Sequence, residues 1–332
     1  MRRFRAAVAK LTAMRVVSRS HVLDAPLAAL AARRGIDFVG VDDAATLRRE
    51  LADADALWLW PAFYDAELLE ELERRSGRLR WLQLMTMGYD PVERYGAPRG
   101  VTITNAGDSY APTVAEHAVT LLLALLRQLP ELQRRAGEGR WDQTVAARIG
   151  TLRDATVAVI GFGNIGREIA VRLRAFGARV VAVTRSGNAG SEADESARIA
   201  DLHAVLARSD ATILAVPLSP QTYHLIDAAA LAAMKPQAVL VNIARGGVVD
   251  GAALAGALAA GRLGGAGIDV TEPEPLPPDD PLWTLPNAIV TPHVAGYGGA
   301  VPGRRVIALI ERNFDHYRAG RPLEAVIPVQ PR

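Results

Sequence analysis

The chain has 332 residues, half of them hydrophobic and 22% charged, with a formal net charge of +2. That length gives about two domains with sizeable cores, and the interspersed basic and acidic residues mark no nucleic-acid surface. With no cysteine in the chain, disulfides, zinc–thiolate sites and cysteine nucleophiles are excluded, and no apolar run reaches the ~18 residues of a membrane span.

The N-terminus is basic, with Arg2, Arg3, Arg5, Lys10, Arg15 and Arg19 and no acid before Asp24. This has something of a transit peptide, but the reading adopted is a short disordered extension ahead of a first strand at 14–17. No secretory hydrophobic segment is present, so a cytoplasmic location is expected. Helical patterns at 25–34, 44–52 and 65–74 then alternate with apolar runs at 36–41, 56–60, 81–84 and 101–104. Such alternation predicts a parallel sheet covered on both faces. A long helix over 113–127 follows Pro112, and a polar segment at 130–150 leads into the second half.

There the β-branched run Thr156-Val157-Ala158-Val159-Ile160 breaks into Gly161-Phe162-Gly163-Asn164-Ile165-Gly166 and then a helical pattern over 167–176. Strand, G-x-G-x-x-G and helix in that order are the context of a dinucleotide fingerprint. Gly161 permits the tight turn and Gly163 lets backbone N–H groups approach a pyrophosphate. Gly166 lets the helix pack closely on the strand, and the helix N-terminus stabilises the phosphate charge. Further strands are expected at 179–183, 211–215, 238–242, 265–269 and 288–291, which makes six for one doubly wound sheet. The last helical pattern, 301–317, has no strand of its own and is expected to pack back on the first domain. The predicted fold is α/β with two doubly wound parallel sheets. A Rossmann NAD(P)-binding domain at 108–297 is inserted into a discontinuous, flavodoxin-like substrate domain at 14–107 and 298–332.

Three segments after the fingerprint place polar groups at strand ends. Val241-Asn242-Ile243-Ala244-Arg245-Gly246-Gly247 offers an arginine, Gly267-Ile268-Asp269 through Glu272-Pro273-Glu274-Pro275-Leu276 an acidic loop, and Thr291-Pro292-His293 a histidine. Ligands of open α/β sheets bind at the carboxyl edge. A guanidinium holds a carboxylate bidentately and polarises a neighbouring carbonyl. An imidazole can pass a proton to an alkoxide as hydride arrives, and a carboxylate beside it orients it and favours its protonated form. Together they suit reversible reduction of a 2-keto acid. Each alone also has a plain structural role, as turn cap, solvated loop residue or satisfied buried histidine.

The chain resembles the D-isomer-specific 2-hydroxyacid dehydrogenases from about Val16 onward. The matching pieces, in order and spacing, are Ala115-Glu116-His117, the fingerprint, Asn242-Ile243-Ala244-Arg245-Gly246, Asp269-Val270 through Glu274-Pro275-Leu276, and Pro292-His293. The resemblance implies that Arg245 binds the substrate carboxylate, that His293 is the acid/base, and that Glu274 is its paired carboxylate. Glu272 competes for that last role, but the following Pro-Leu-Pro favours Glu274. A glutamate here, where the formate dehydrogenase branch has glutamine, argues against that activity. By the same resemblance Asp269 contacts the nicotinamide carboxamide. Pro217, after the strand at 211–215, joins the expected cofactor contacts. Met87 and Gly88, in Leu84-Met85-Thr86-Met87-Gly88-Tyr89-Asp90, offer N–H groups to the substrate carboxylate. His117 is read as packing or hinge support, while His21, His203, His224 and His316 have no constellation around them. Family members are usually dimers, so a homodimer is expected, with Trp141 on an interface arm.

An NAD-selective unit usually ends its second strand in Asp or Glu, bound to the ribose 2′-OH. Here that position reads Thr184-Arg185-Ser186, with no acid before Glu192, and such groups would bind a 2′-phosphate. The expected cofactor is NADP in preference to NAD. The resulting reading is an NADPH-dependent reductase of a small 2-keto acid, glyoxylate or hydroxypyruvate, closing about 107–112 and 295–299. Its rivals are an NAD-dependent phosphoglycerate or lactate type dehydrogenase and a non-catalytic cofactor sensor. No metal, nucleic acid or membrane partner is expected.

Overall fold

The computed structural model describes residues 13–75 and 77–328, so residues 1–12 of the expected N-terminal extension lie outside them. The chain divides into two compact units, one built from residues before Ala111 and after Tyr297, the other from Ala111–Tyr297.

In the first unit, β1 (Arg15–Arg19), β2 (Asp37–Gly40), β3 (Ala56–Leu59), β4 (Trp81–Leu84) and β5 (Thr102–Thr104) form a parallel sheet in the order β2-β1-β3-β4-β5. This is the flavodoxin-like order. Successive strand residues point to opposite faces, and each face here has its own core. Val17, Leu57, Leu59, Leu82 and Leu84 join Leu68, Leu69 and Leu72 of the helix Ala66–Arg75 on one side. Val16, Trp58 and Trp81 join Leu27 and Leu30 of the helix Asp24–Arg34 on the other. That second core is completed by Val306, Ile310 and Phe314 of the last helix, Ala300–Arg318. The C-terminal helix therefore closes a sheet begun some 300 residues earlier in the chain.

The second unit opens with the long helix Ala111–Leu126. Its sheet contains β6 (Thr156–Ile160), β7 (Arg179–Thr184), β8 (Glu195–Arg198), β9 (Ala211–Leu214), β10 (Val239–Asn242), β11 (Gly265–Ile268) and β12 (Ala288–Val290). All pairings are parallel, in the order β12-β11-β10-β9-β6-β7-β8. Counted from β6, this is the doubly wound order 3-2-1-4-5-6 extended by one strand. The β6/β9 pair, where the order reverses, is the switch point, and the glycine loop leaves the end of β6.

Two elements correct the sequence reading. The sheet has seven strands where six are predicted, because β8 reads Glu-Ser-Ala-Arg and has no buried residue. It is an edge strand whose Glu195 pairs with Arg179 and Arg208. Charge protects an open edge, and it also removes the apolar alternation by which a strand is read. The polar segment at 130–150 likewise holds a helix, Leu129–Gly137, with no buried residue. Its Glu131 pairs with Arg134 and Arg135, so pairs three and four apart support a short helix whose apolar residues Leu129, Leu132 and Ala136 are not buried. No helix among the described residues is long and apolar enough to cross a membrane.

Because Ile310 is fully buried in the first unit, Ile310→Ala is expected to cost about 2–5 kcal/mol. Calorimetry would show this as a lower unfolding temperature; an unchanged transition would separate the last helix from the core.

Candidate active site

Every sequence-predicted cofactor residue lies on the second unit. Gly161 takes φ 92° at the end of β6, and a Cβ there would stand 2.4 Å from the carbonyl oxygen of Ala215. Only glycine fits a turn that tight and close. Gly166 is buried in the helix Asn164–Ala175, under the carbonyl of Gly161, and Phe162 is buried beside it. Gly163 is different, since a Cβ on it would meet nothing within 4 Å. Protein packing does not require glycine there, and no side chain caps the helix that starts at Asn164-Ile165. Open space beside uncapped helix N–H groups is what a pyrophosphate needs, so these residues fit a dinucleotide.

At the end of β7, the Thr184 hydroxyl accepts from the N–H groups of Gly187 (2.9 Å) and Asn188 (3.1 Å). Ser186 lies 3.5 Å from the same hydroxyl. The turn exposes Arg185, which has no ion-pair or hydrogen-bond partner among the described residues. Glu192, the nearest acid in sequence, is paired with Arg167 at 2.7 Å. That pairing, after its own backbone hydrogen bond, holds the Glu192 carboxyl below the usual range. Pro217 is exposed after β9, and its carbonyl accepts from Thr222 at 2.7 Å.

Arg245 follows β10 at a turn clamped by Asn242. The Asn242 amide accepts from the N–H of Ala244 (3.1 Å) and donates to the carbonyl of Arg245 (3.0 Å). The next residue must be small: a Cβ on Gly246 would fall 2.0 Å from the Thr271 peptide. The arginine turn is thereby seated against the acidic loop that follows β11.

On that loop, Glu274 Oε1 lies 2.6 Å from His293 Nδ1, both side chains being about half exposed. Glu272 goes elsewhere: its Oε2 is 3.6 Å from Nε2 of His224, whose ring stacks on Tyr223 at 4.1 Å. His224 therefore does have a constellation, a correction to the sequence reading. Tyr223 and His224 are found only through the backbone bond from His224 N–H to Gly247 (2.7 Å), which ties the loop after β9 to the arginine turn.

His293 has φ 52°, unusual for a side chain with a Cβ. Its N–H donates to the carbonyls of Asp269 (2.8 Å) and Thr291 (3.0 Å). The Asp269 carboxylate, only 2% exposed, accepts from Thr291 Oγ1 (2.6 Å), Val294 N–H (2.9 Å) and Ala295 N–H (3.0 Å). His117 of the long helix comes within 3.4 Å of Asp269 Oδ1 and 3.0 Å of Thr291 Oγ1. Burial raises the Asp269 pKa, but the hydrogen bonds from His117, Thr291, Val294 and Ala295 outweigh it and leave it below the ordinary value. The carboxylate assigned from resemblance to the nicotinamide is thus also the anchor of the histidine loop.

In the first unit, the loop after β4 has its carbonyls engaged. Met85 O accepts from Tyr110 (3.0 Å), Met87 O from Asn105 (2.7 Å) and Gly88 O from Thr86 (3.0 Å). The N–H groups of Met87 and Gly88 donate to no acceptor among the described residues.

The family model described as D-isomer specific 2-hydroxyacid dehydrogenase, NAD binding domain, matches residues 119–295. The chain is similar to the glyoxylate reductase of Thermococcus gammatolerans, 37% identical over 284 residues that cover 82% of this chain and 83% of that one. Among solved structures it is similar to a D-isomer specific 2-hydroxyacid dehydrogenase family protein from Aeromonas salmonicida. That likeness has a TM-score of 0.83 and 28% identity, covering 95% of this chain and 99% of the other. D-lactate dehydrogenase with NAD+ from Lactobacillus jensenii is similar at a TM-score of 0.77 and 27% identity, with 95% and 99% covered.

Two outcomes are expected. Gly246→Ala is expected to displace the arginine turn from the Thr271 peptide, detectable as shifted amide resonances at residues 244–248 and 271–274; an unperturbed spectrum would contradict the close approach. Asp269 has a depressed folded pKa, so its contribution to stability is in place above its ordinary pKa of about 3.9 and is lost as pH falls through the lower folded value. Urea unfolding of Asp269→Asn across pH 2–6 is expected to show a flatter acid limb than the parent. An identical limb would mean that this carboxylate contributes none of it.

Proposed function

Because the chain belongs to the D-isomer-specific 2-hydroxyacid dehydrogenase family, we propose that it reduces a small 2-keto acid of the glyoxylate or hydroxypyruvate kind to the D-2-hydroxy acid with NADPH. It is an NAD(P)-dependent oxidoreductase. The observation that carries the finer reading is the 2.6 Å approach of Glu274 Oε1 to His293 Nδ1. A carboxylate is acceptor-only, so Nδ1 holds a proton and points it at Glu274, which leaves Nε2 as the nitrogen that serves the substrate oxygen. The bound nicotinamide would supply the hydride to C2. His293 delivers the proton to the oxygen as its charge develops, and Glu274 holds the ring in orientation. Arg245 binds the substrate carboxylate and polarises the adjacent carbonyl. The N–H groups of Met87 and Gly88, left over by a loop whose carbonyls are bound, are assigned to a carboxylate as well.

NADP is preferred in this reading because Arg185 is exposed and unpaired at the end of β7, while Glu192 is neutralised by Arg167. The glyoxylate reductase likeness supports the substrate class. A homodimer is proposed from the family resemblance, with Trp141, 93% exposed after the helix Leu129–Gly137, on the interface arm.

Steady-state assays with NADPH and NADH across glyoxylate, hydroxypyruvate, pyruvate and 3-phosphohydroxypyruvate test the whole reading. His293→Ala is expected to lower kcat by about 10²–10⁴-fold while sparing cofactor affinity; undiminished turnover would remove it as the acid. Arg185→Ala removes a charge-assisted contact worth about 1.5–3 kcal/mol, so kcat/KM with NADPH is expected to fall roughly 10–100-fold with NADH little changed. Equal use of both cofactors by the parent enzyme would overturn the NADP assignment, and a preference for pyruvate or the phosphorylated acid with NADH would favour the lactate or phosphoglycerate reading.

A further inference from the structure

His117 lies 174 residues from Thr291, on the long helix that opens the second unit, yet its Nε2 is 3.0 Å from the Thr291 hydroxyl. Thr291 Oγ1 is 2.6 Å from Asp269 Oδ1, and the carboxylate, ionised because its pKa is depressed, can only accept. The single hydroxyl proton therefore goes to Asp269, and Thr291 has only lone pairs left for the imidazole. His117 must hold its proton on Nε2 and donate it. The result is an ordered array, His117 Nε2–H to Thr291 Oγ (with Asp269 Oδ1 also 3.4 Å from that nitrogen) and Thr291 Oγ–H to Asp269 Oδ1, that ends on the carboxylate gripping the N–H groups of Val294 and Ala295. Those two residues follow His293, which sits at φ 52°, a conformation that persists only where surrounding contacts over-determine it.

We propose that His117 is a positioning residue for the acid/base: through Thr291 and Asp269 it locks the 291–295 loop so that the His293 imidazole stays within hydrogen-bond reach of Glu274. This rests on the reading of His293 as the proton donor. The chain acts on the loop backbone and not on the substrate carboxylate or the glycine loop. Its loss is therefore expected in kcat with the KM for the keto acid spared; cofactor affinity does not discriminate, because Asp269 is itself an expected nicotinamide contact. A histidine that merely packed the helix would give a different pattern, with stability falling and no selective effect on turnover.

The test compares His117→Ala and His117→Gln in the full-length enzyme; the glutamine amide offers an N–H at the reach of Nε2. For His117→Ala, kcat with glyoxylate at saturating NADPH is expected to fall about 10-fold or more, with the KM for glyoxylate within about twofold. His117→Gln is expected to recover most of the loss. Adding Thr291→Val to His117→Ala is expected to add little, because both break one chain. Amide hydrogen exchange at Val294 and Ala295 is expected to quicken in His117→Ala and to return toward the parent rate in His117→Gln. An alanine variant with kcat within twofold of the parent, or a glutamine variant as impaired as alanine, would overturn the proposal. The exchange measurement separates the two levels of inference. If the parent shows no turnover with any keto acid, the function proposed above fails, while quickened exchange in His117→Ala still supports the clamp and unchanged exchange overturns it.

Discussion

Burying a carboxylate is expensive unless donors surround it, and the second unit buries Asp269 almost completely at the end of β11. The answer comes from three places in the chain: the side chains of His117 and Thr291 and the two N–H groups after His293. Each donor brings its own backbone with it. Satisfying one charge therefore fixes the start of the long helix, the end of β12 and the loop beyond it in a single arrangement. His293 gets its unusual backbone from this network, through the bonds of its N–H to the Asp269 and Thr291 carbonyls.

Around that fixed point the carboxyl edge sorts two glutamates, near neighbours in sequence, between two histidines. Glu274 meets His293 and Glu272 meets His224. The sorting follows from the backbone. Gly246 lets the arginine turn press on the Thr271 peptide, and a Cβ on Gly247 would lie 3.2 Å from Glu272 Oε2 and from the Tyr223 ring. Glu272 is thus held on the side of the loop that faces the segment after β9. Glu274, two residues on, is left for the histidine after β12. The spacing of the two acids along the loop separates two pairs that simple proximity in sequence would confuse.

Much of the frame can be read in the sequence for a physical reason. Strands such as β3 and β6 are buried on both faces, so they show as apolar runs, and helices packed on them show one apolar stripe. Elements that bury nothing, β8 and the helix Leu129–Gly137, carry that mark weakly amid charged residues and are missed. The site divides in the same way. Arg245, Glu274 and His293 announce themselves by residue type at strand ends. The Asp269 network does not, because the closeness of His117 to Thr291 across 174 residues is a product of packing. Its traces in sequence are the Ala115-Glu116-His117 and Asp269-Val270 pieces, which state positions and give no partners.

In the proposed reaction the acid must reach a substrate and cannot itself be buried, and Glu274 and His293 are each about half exposed. Exposed pairs hold their geometry poorly, since solvent competes for every bond and long side chains must be ordered. The second unit meets both demands by separating them. Rigidity is stored in a buried carboxylate, where hydrogen bonds are electrostatically strong and water does not intrude. The proposed proton transfer is left to an imidazole one peptide away from the bonds that carry that rigidity. Loss of a donor deep in the network therefore bears on the exposed ring more than its distance from the reacting atoms suggests.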